Sequence, residues 1–315
     1  MDMNIKKAVI KLLLTVLLII TVNSKQIAAQ PADCISDIHT VEVNETTLHY
    51  IECGKGEPLV LVHGSLGDYR TWISQIEAFL KEYRVISYSR RYHYPNPWPQ
   101  DASDFSATVH AKDLKTFIQT LNLGKVHLVG HSYGALTSLL VARDNPELVR
   151  SLTLGEPPAF SLLSISSQGN SLFQSFMENA VVPSHHAFEN GNIEDGIRFF
   201  INGVLGDGAY EQIPPIVHIS MLENTRVENR EIAGQFNQGI DFYSAFSCGD
   251  AEQMTIPVML LEGERSPEMF GLIHDHLEQC FPDVDRTIIP SASHDLKIQE
   301  PPVFRVKVLS FLNRH

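Results

Sequence analysis

Between His39 and Asn313 the apolar residues switch among three patterns: strict alternation, unbroken runs and helical spacing. From His39 to Cys53 they alternate, with Val41 and Val43 before a turn at Asn44-Glu45 and Leu48 and Tyr50 after it, which predicts an antiparallel hairpin. Pro58-Leu59-Val60-Leu61-Val62 is a continuous apolar run ending at His63-Gly64, as expected of a strand buried on both faces. Trp72, Ile76, Phe79, Leu80 and Tyr83 then recur at helical spacing. The succession repeats as a strand from Arg84 to Ser89, a helix from Ser106 to Asn122 and a strand from Lys125 to Gly130. A helix from Tyr133 to Arg143 and a strand from Val149 to Leu154 follow. Strands alternating with amphipathic helices predict an α/β fold, a mostly parallel sheet covered by helices on both faces.

From about Ala159 to Cys248 the alternation stops. Helix-like stretches take over, among them Ile193, Ile197, Phe200, Ile201 and Val204. The rhythm resumes with strand Pro257 to Leu261, a helix around Met269 to Gln279, strand Arg286 to Ile289 and a helix from Pro302 to Asn313. The expected organisation is a core formed by residues 30–158 and 249–315, interrupted by a helical cap over 159–248.

The first residues are organised differently. Lys6, Lys7 and Lys11 lead into a stretch from Leu12 to Val22 broken only by Thr15 and Thr21, and polar residues follow before Ile27-Ala28-Ala29. This is the layout of a secretory signal peptide over residues 1–29, and the mature chain is expected to be secreted or periplasmic. A retained N-terminal membrane anchor is the alternative, but the stretch falls short of the roughly 20 apolar residues needed to span a bilayer.

Charge narrows the partners. The 315-residue chain carries −13; residues 1–29 hold four lysines and one aspartate, a net +3, which leaves −16 on the remainder. A surface so acidic repels phosphate backbones, so nucleic acid is not an expected partner. Four cysteines in an oxidising compartment allow three full pairings. Cys34 and Cys53 flank the hairpin and are the first candidate pair, with free thiols as the alternative.

The segment Val126-His127-Leu128-Val129-Gly130-His131-Ser132-Tyr133-Gly134 carries the chemistry: a buried strand runs into G-x-S-x-G and on into a helix. A nucleophile on so sharp a strand-to-helix turn has strained backbone angles and tolerates no neighbouring β-carbons, hence the glycines. Ser132 is the expected nucleophile. It needs a base to take its proton, and the helix starting at Tyr133 favours developing negative charge.

With this elbow, the His63-Gly64 strand end and a late histidine, the chain resembles the α/β-hydrolase family from about residue 39 to the end. The resemblance implies an eight-stranded, mostly parallel sheet with an inserted helical cap. Pro290-Ser291-Ala292-Ser293-His294, followed by Glu300-Pro301-Pro302, is similar to the family's histidine loop, which makes His294 the implied general base. Most members place the triad acid after the strand that follows the cap, but here that stretch reads Gly263-Glu264-Arg265-Ser266. Ser266 cannot carry the charge. Some branches place the acid one strand earlier, where Gly155-Glu156-Pro157-Pro158 stands, so Glu156 is expected in that role, with Glu264 and Glu268 as alternatives.

The resemblance also implies an oxyanion hole made by the backbone amides of Tyr133 and Ser65, with Leu66 as the second choice for the latter. His63 is expected to order that loop and His131 to pack in the elbow. His185-His186 and His274-x-His276 have no accompanying carboxylate or cysteine cluster and are expected on the surface or in caps, not on metal. Arg90 to Trp98, aromatic and locally basic, is expected near the active-site mouth, either recognising substrate or as a structural loop. Phe160, Leu162, Phe173, Phe176, Phe199 and Phe200 are the pocket-lining candidates of the cap.

These readings converge on an exported serine hydrolase that cleaves an ester, a lactone or a related acyl bond of a small molecule through an acyl-enzyme, with no cofactor and no metal. The resemblance leaves open cofactor-free perhydrolysis of haloperoxidase type, carbon–carbon bond hydrolysis, acyl transfer, and a poorly catalytic, receptor-like binding protein. A serine at the elbow argues against the dehalogenase and epoxide-hydrolase branches, whose elbow carries aspartate. There is no G-x-x-x-x-G-K-[ST] loop and no strand-linked G-x-G-x-x-G, so nothing points to a nucleotide.

Overall fold

The computed structural model describes residues 31–315; the proposed signal peptide lies outside the described residues. Eight strands form one sheet in the order β1-β2-β4-β3-β5-β6-β7-β8. They are β1 (His39–Val43), β2 (Thr46–Cys53), β3 (Glu57–Val62), β4 (Tyr83–Tyr88), β5 (Val126–His131), β6 (Val149–Gly155), β7 (Val258–Gly263) and β8 (Val284–Ile289). β1 and β2 pair antiparallel, joined by a turn in which Asn44 and Glu45 both have positive φ, the geometry that matches strand twist in a two-residue hairpin. From β4 to β8 every pairing is parallel.

The alternation of side chains along these strands divides the core in two. Val60, Val62, Leu128, Leu152 and Leu260 point to one face, where helices α3 (Ala107–Thr120), α4 (Tyr133–Asp144) and α11 (Glu268–Cys280) pack. Leu59, Leu61, Val129, Met259 and Leu261 point to the other, against α2 (Ile73–Phe79) and α13 (Pro301–Leu312). Both faces are apolar, which is why these strands read as unbroken runs.

Between β6 and β7 the chain runs through an inserted helical region: α5 (Ser167–Phe176), α6 (Val182–Glu189), α7 (Ile193–Leu205), α8 (Pro215–Glu223) and α9 (Thr225–Gln238). A π-turn at Met177–Val181 joins α5 to α6. Phe176, Ala180, Phe188, Phe200 and Ile232 continue the core of the α3/α4 face into this region. α1 (Pro31–Ser36) is tied to β2 by the Cys34–Cys53 disulfide, the candidate pair from the sequence, and α10 (Cys248–Glu252) is tied to α11 by Cys248–Cys280. Among the described residues no helix is long and apolar enough to cross a membrane.

Candidate active site

Ser132 sits between β5 and α4 with φ 53° and ψ −126°, a conformation that L-residues rarely adopt. The elbow is bound into the sheet by the Ser132 amide, which donates to Gly155 O on β6 at 2.7 Å. Gly134 has no room for a side chain: a β-carbon there would lie 2.3 Å from Val62 O. The strained turn lifts Ser132 above the carboxyl ends of the strands, over the N-terminus of α4.

His294, in the loop after β8, meets Glu156 from the end of β6. Its Nδ1 donates to Glu156 Oε2 at 2.6 Å, and the Glu156 side chain is fully buried. The second oxygen, Oε1, accepts the Gly263 amide at 2.7 Å, so the carboxylate is held on two sides. The His294 ring stacks on Phe270, centroids 4.2 Å apart, and its Nε2 is buried with no partner among the described residues. Glu156 itself has φ 48°, a second strained residue at a strand end. The two alternatives do not reach the histidine: Glu264 accepts the Ser291 amide at 2.8 Å, and Glu268 accepts from Gln168. Ser266 stays beside Gly263, its buried hydroxyl unpartnered.

A second network holds the far side of His294. Burial, the Lys297 ammonium and His294 keep the His131 imidazole well below its usual range, so the ring is neutral. It accepts from Lys297 Nζ at Nδ1 (3.1 Å) and donates from Nε2 to the His294 carbonyl (2.7 Å). Lys297, 2% exposed, also bonds Asp295 at 2.5 Å and lies over the Trp72 ring. The sequence reading missed Lys297; a lysine in a short amphipathic segment carries no mark of burial.

The loop after β3 runs beside Ser132. A β-carbon on Gly64 would come within 2.9 Å of Ser132 Cβ. His63 orders this loop as expected: burial, with His93 and Arg90 near, holds it well below its usual range and therefore neutral. Its Nε2 accepts the Arg90 amide and its Nδ1 donates to Gly64 O, both at 2.8 Å. Ser65 donates its hydroxyl to Glu231 on α9 (3.2 Å), and Leu66 has φ 56°. Tyr133 anchors α4 by donating its hydroxyl to Phe105 O.

Ser132, His294, Ser65 and Leu66 line one cavity of about 460 Å³ between the sheet and the inserted helices. Its walls are mainly apolar, with Ile73, Phe200, Ile201, Val204, Val217 and Met221 among them. Ile216 and Ile219 of α8 line it while remaining 72% and 55% exposed, which puts them at its mouth. Arg70 stands at the same wall, neutralised by Asp68 and Glu223, and Asp68 is bonded in turn by Asn224 of the insertion at 2.8 Å.

Several expectations are corrected. Of the six pocket-lining candidates only Phe200 lines the cavity; Phe160, Leu162 and Phe176 are core, Phe173 packs on that core, and Phe199 is 41% exposed on the outside of α7. Helical spacing marks a buried stripe but not which neighbour buries it. Of the two readings of the Arg90–Trp98 loop the structural one holds: Arg90 and His93 are buried, Arg91 pairs with Asp113, and Tyr92, Trp98 and Phe105 pack together, while Tyr94 lies under Arg70 at the cavity wall. His185 and His274 are buried rather than on the surface, stacked on Phe236 and facing Glu262 respectively. Among the described residues no cluster of His, Cys, Asp or Glu is arranged to hold a metal.

The comparisons agree with this architecture. Residues 57–189 match the family model described as the alpha/beta hydrolase fold. The chain has the alpha/beta hydrolase fold. It is 38% identical over 115 residues to the (E)-2-((N-methylformamido)methylene)succinate hydrolase of Acinetobacter baylyi, a match covering 35% of this chain and 41% of that protein. It is 23% identical over 278 residues to a soluble epoxide hydrolase of Corynebacterium sp., covering 84% of this chain and 92% of that one. The crystal structure of carboxylesterase CesB from Bacillus subtilis superposes with a TM-score of 0.66 at 18% identity, covering 88% and 91% of the two chains.

Proposed function

We propose that this protein is a serine hydrolase that cleaves carboxylic ester or lactone bonds bearing an apolar group, through an acyl-enzyme. The observation that carries this reading is the hydrogen bond between His294 Nδ1 and the buried Glu156, which leaves Nε2 as the ring's acceptor in the cavity that Ser132 shares. In the proposed sequence His294 takes the Ser132 proton as Oγ bonds to the acyl carbon. The Tyr133 and Ser65 amides hold the oxyanion, and the leaving alkoxide departs with the proton from His294. Water, deprotonated by the same ring, then attacks the acyl carbon and releases the acid. Glu156 keeps the tautomer and stabilises the imidazolium.

The apolar walls support a substrate with an alkyl or aryl portion, because burying it there releases about 25 cal/mol per Å². Aspartate is replaced by serine at the elbow, which favours acyl chemistry over epoxide opening. Export is part of the proposal: residues 1–29 have signal-peptide layout, and two disulfides suit an oxidising compartment. The test is stopped-flow hydrolysis of p-nitrophenyl butyrate by the wild type and Ser132→Ala. A burst equal to the enzyme concentration, abolished in the variant, supports the acyl-enzyme; turnover that survives Ser132→Ala overturns it.

A further inference from the structure

Arg90 and Glu231 are both fully buried and have no part in the chemistry above, yet they form an ion pair (Nη1–Oε1, 3.1 Å) directly behind the loop from His63 to Gly67. Isolated from water, such a pair is costly to bury, so its remaining hydrogen bonds matter. Arg90 Nε donates to His63 O and Nη2 to Gly64 O, each at 3.2 Å. Glu231 accepts the Ser65 hydroxyl on Oε2. His93, whose Nδ1 donates to Gly67 O, and His110 face Glu231 Oε1 at 3.6 and 3.5 Å. The guanidinium also lies over the Tyr133 ring, 4.8 Å from its centroid.

The Gly64 carbonyl and the Ser65 N–H belong to one planar trans peptide and point in opposite directions. Two donors, His63 Nδ1 and Arg90 Nη2, hold that carbonyl, and neither residue lines the cavity. The Ser65 N–H points away from both donors, and Ser65 lines the cavity together with Ser132. Were this peptide to flip, its carbonyl would face the developing oxyanion and repel it.

We propose that Arg90 and Glu231 are positioning residues that fix the orientation of the Gly64–Ser65 peptide, so that the oxyanion hole is assembled only when α9 of the inserted region is docked on the core. The inference rests on the acyl-enzyme reading above. Nothing in the pair contacts the substrate cavity's reacting atoms; it acts through the peptide it orients. Glu228, one turn away on α9, adds no charge: burial, with Glu231 near, pushes its carboxyl well above the usual range, so Glu231 alone balances Arg90.

The test uses Glu231→Gln, Arg90→Lys and Ser65→Ala with three readouts: kcat and KM on p-nitrophenyl butyrate, inhibition by a trifluoromethyl ketone that forms a tetrahedral adduct, and labelling of Ser132 by a fluorophosphonate. Glu231→Gln is expected to lower kcat roughly 10- to 100-fold, less than the ~100- to 1000-fold of deleting a donor outright, with KM within about threefold. Affinity for the ketone should fall in parallel, which a loosened fold with an intact hole would not produce. Arg90→Lys keeps the charge but cannot bridge both carbonyls, so it should show the same pattern. If Glu231→Gln fails to fold, Arg90→Lys and Ser65→Ala decide the matter, the latter removing one hydroxyl contact with an expected loss of about threefold. Unchanged kcat and ketone affinity in folded Glu231→Gln or Arg90→Lys, with Ser132 still labelled, overturns the positioning role alone. Absence of Ser132 labelling in the wild type overturns the acyl-enzyme reading, and this inference with it.

Discussion

Glu156, at the end of β6, accepts the backbone amide of Gly263, at the end of β7, and so its carboxylate leans toward the strand end where the triad acid of most α/β-hydrolases stands. One carboxylate oxygen is spent on that amide and the other on His294. An acid at the end of one strand thereby reaches a histidine placed for the next, and the Ser266 hydroxyl has no partner among the described residues.

Glu156→Gln should therefore lower kcat on p-nitrophenyl butyrate by about 10³- to 10⁴-fold, as expected when the ring loses the partner that fixes its tautomer. Glu264→Gln and Ser266→Ala should stay within about threefold of wild type. Steady-state kinetics of the three variants side by side decides it, and a large loss in Ser266→Ala would contradict the assignment.

Lys297→Met keeps an unbranched apolar side chain but removes the cation from the Trp72 ring, His131 and Asp295. Because Asp295 retains some solvent access, the loss should be below that of a fully buried pair, about 2 kcal/mol. The His294 loop is held partly through His131, so kcat should fall by about tenfold as well. Urea midpoints and kinetics measured on the same preparation test both; an unaltered midpoint refutes the structural part.

The buried carboxyl of Glu228 gives a pH signature. Its folded-state pKa is raised by burial and by Glu231, whereas in the unfolded chain it ionises near its ordinary value of about 4.3. Keeping it protonated in the fold costs nothing below that value and progressively more as pH rises toward the folded pKa. Glu228→Gln removes the cost, so its stability relative to wild type should increase from pH 5 to pH 8. Equal pH dependence of the two urea midpoints would show that Glu228 is ionised in the fold.

His110 contributes with the opposite sign. Burial and Arg90 lower it to about 4, so the unfolded state takes up a proton near pH 6.5 that the fold refuses. Stability is lost as pH falls from 7 toward that folded pKa, by about 2 kcal/mol at pH 5 from this residue. His110→Gln should show a correspondingly shallower decline between pH 7 and 5 in denaturant unfolding.

Val204→Trp projects bulk into the cavity from α7 without touching Ser132, His294 or Glu156. If the apolar wall receives the acyl or alkyl group, kcat/KM for p-nitrophenyl octanoate should drop about 100-fold and for the acetate less than about threefold, because only the long chain needs the lost volume. Equal losses on both esters would place the substrate elsewhere.

The strands, their mostly parallel pairing and the elbow were legible in the sequence, because burial on both faces writes itself as unbroken apolar runs and a strained turn demands glycine at 130 and 134. Ser132 could be named from the elbow motif, and the resemblance to α/β-hydrolases pointed to His294 and Glu156. What the sequence could not determine was which distant side chains meet. Glu228 and Glu231, three residues apart on a polar helix, carry no mark of burial in the sequence, and neither does Lys297. Only the docking of α9 over the loop after β3, and of the His294 loop over Trp72, removes them from water and sets Glu231 on Arg90 and Lys297 on His131. Local sequence encodes periodicity and turn chemistry over a few residues; the burial of a charge depends on what packs over it from more than 100 positions away.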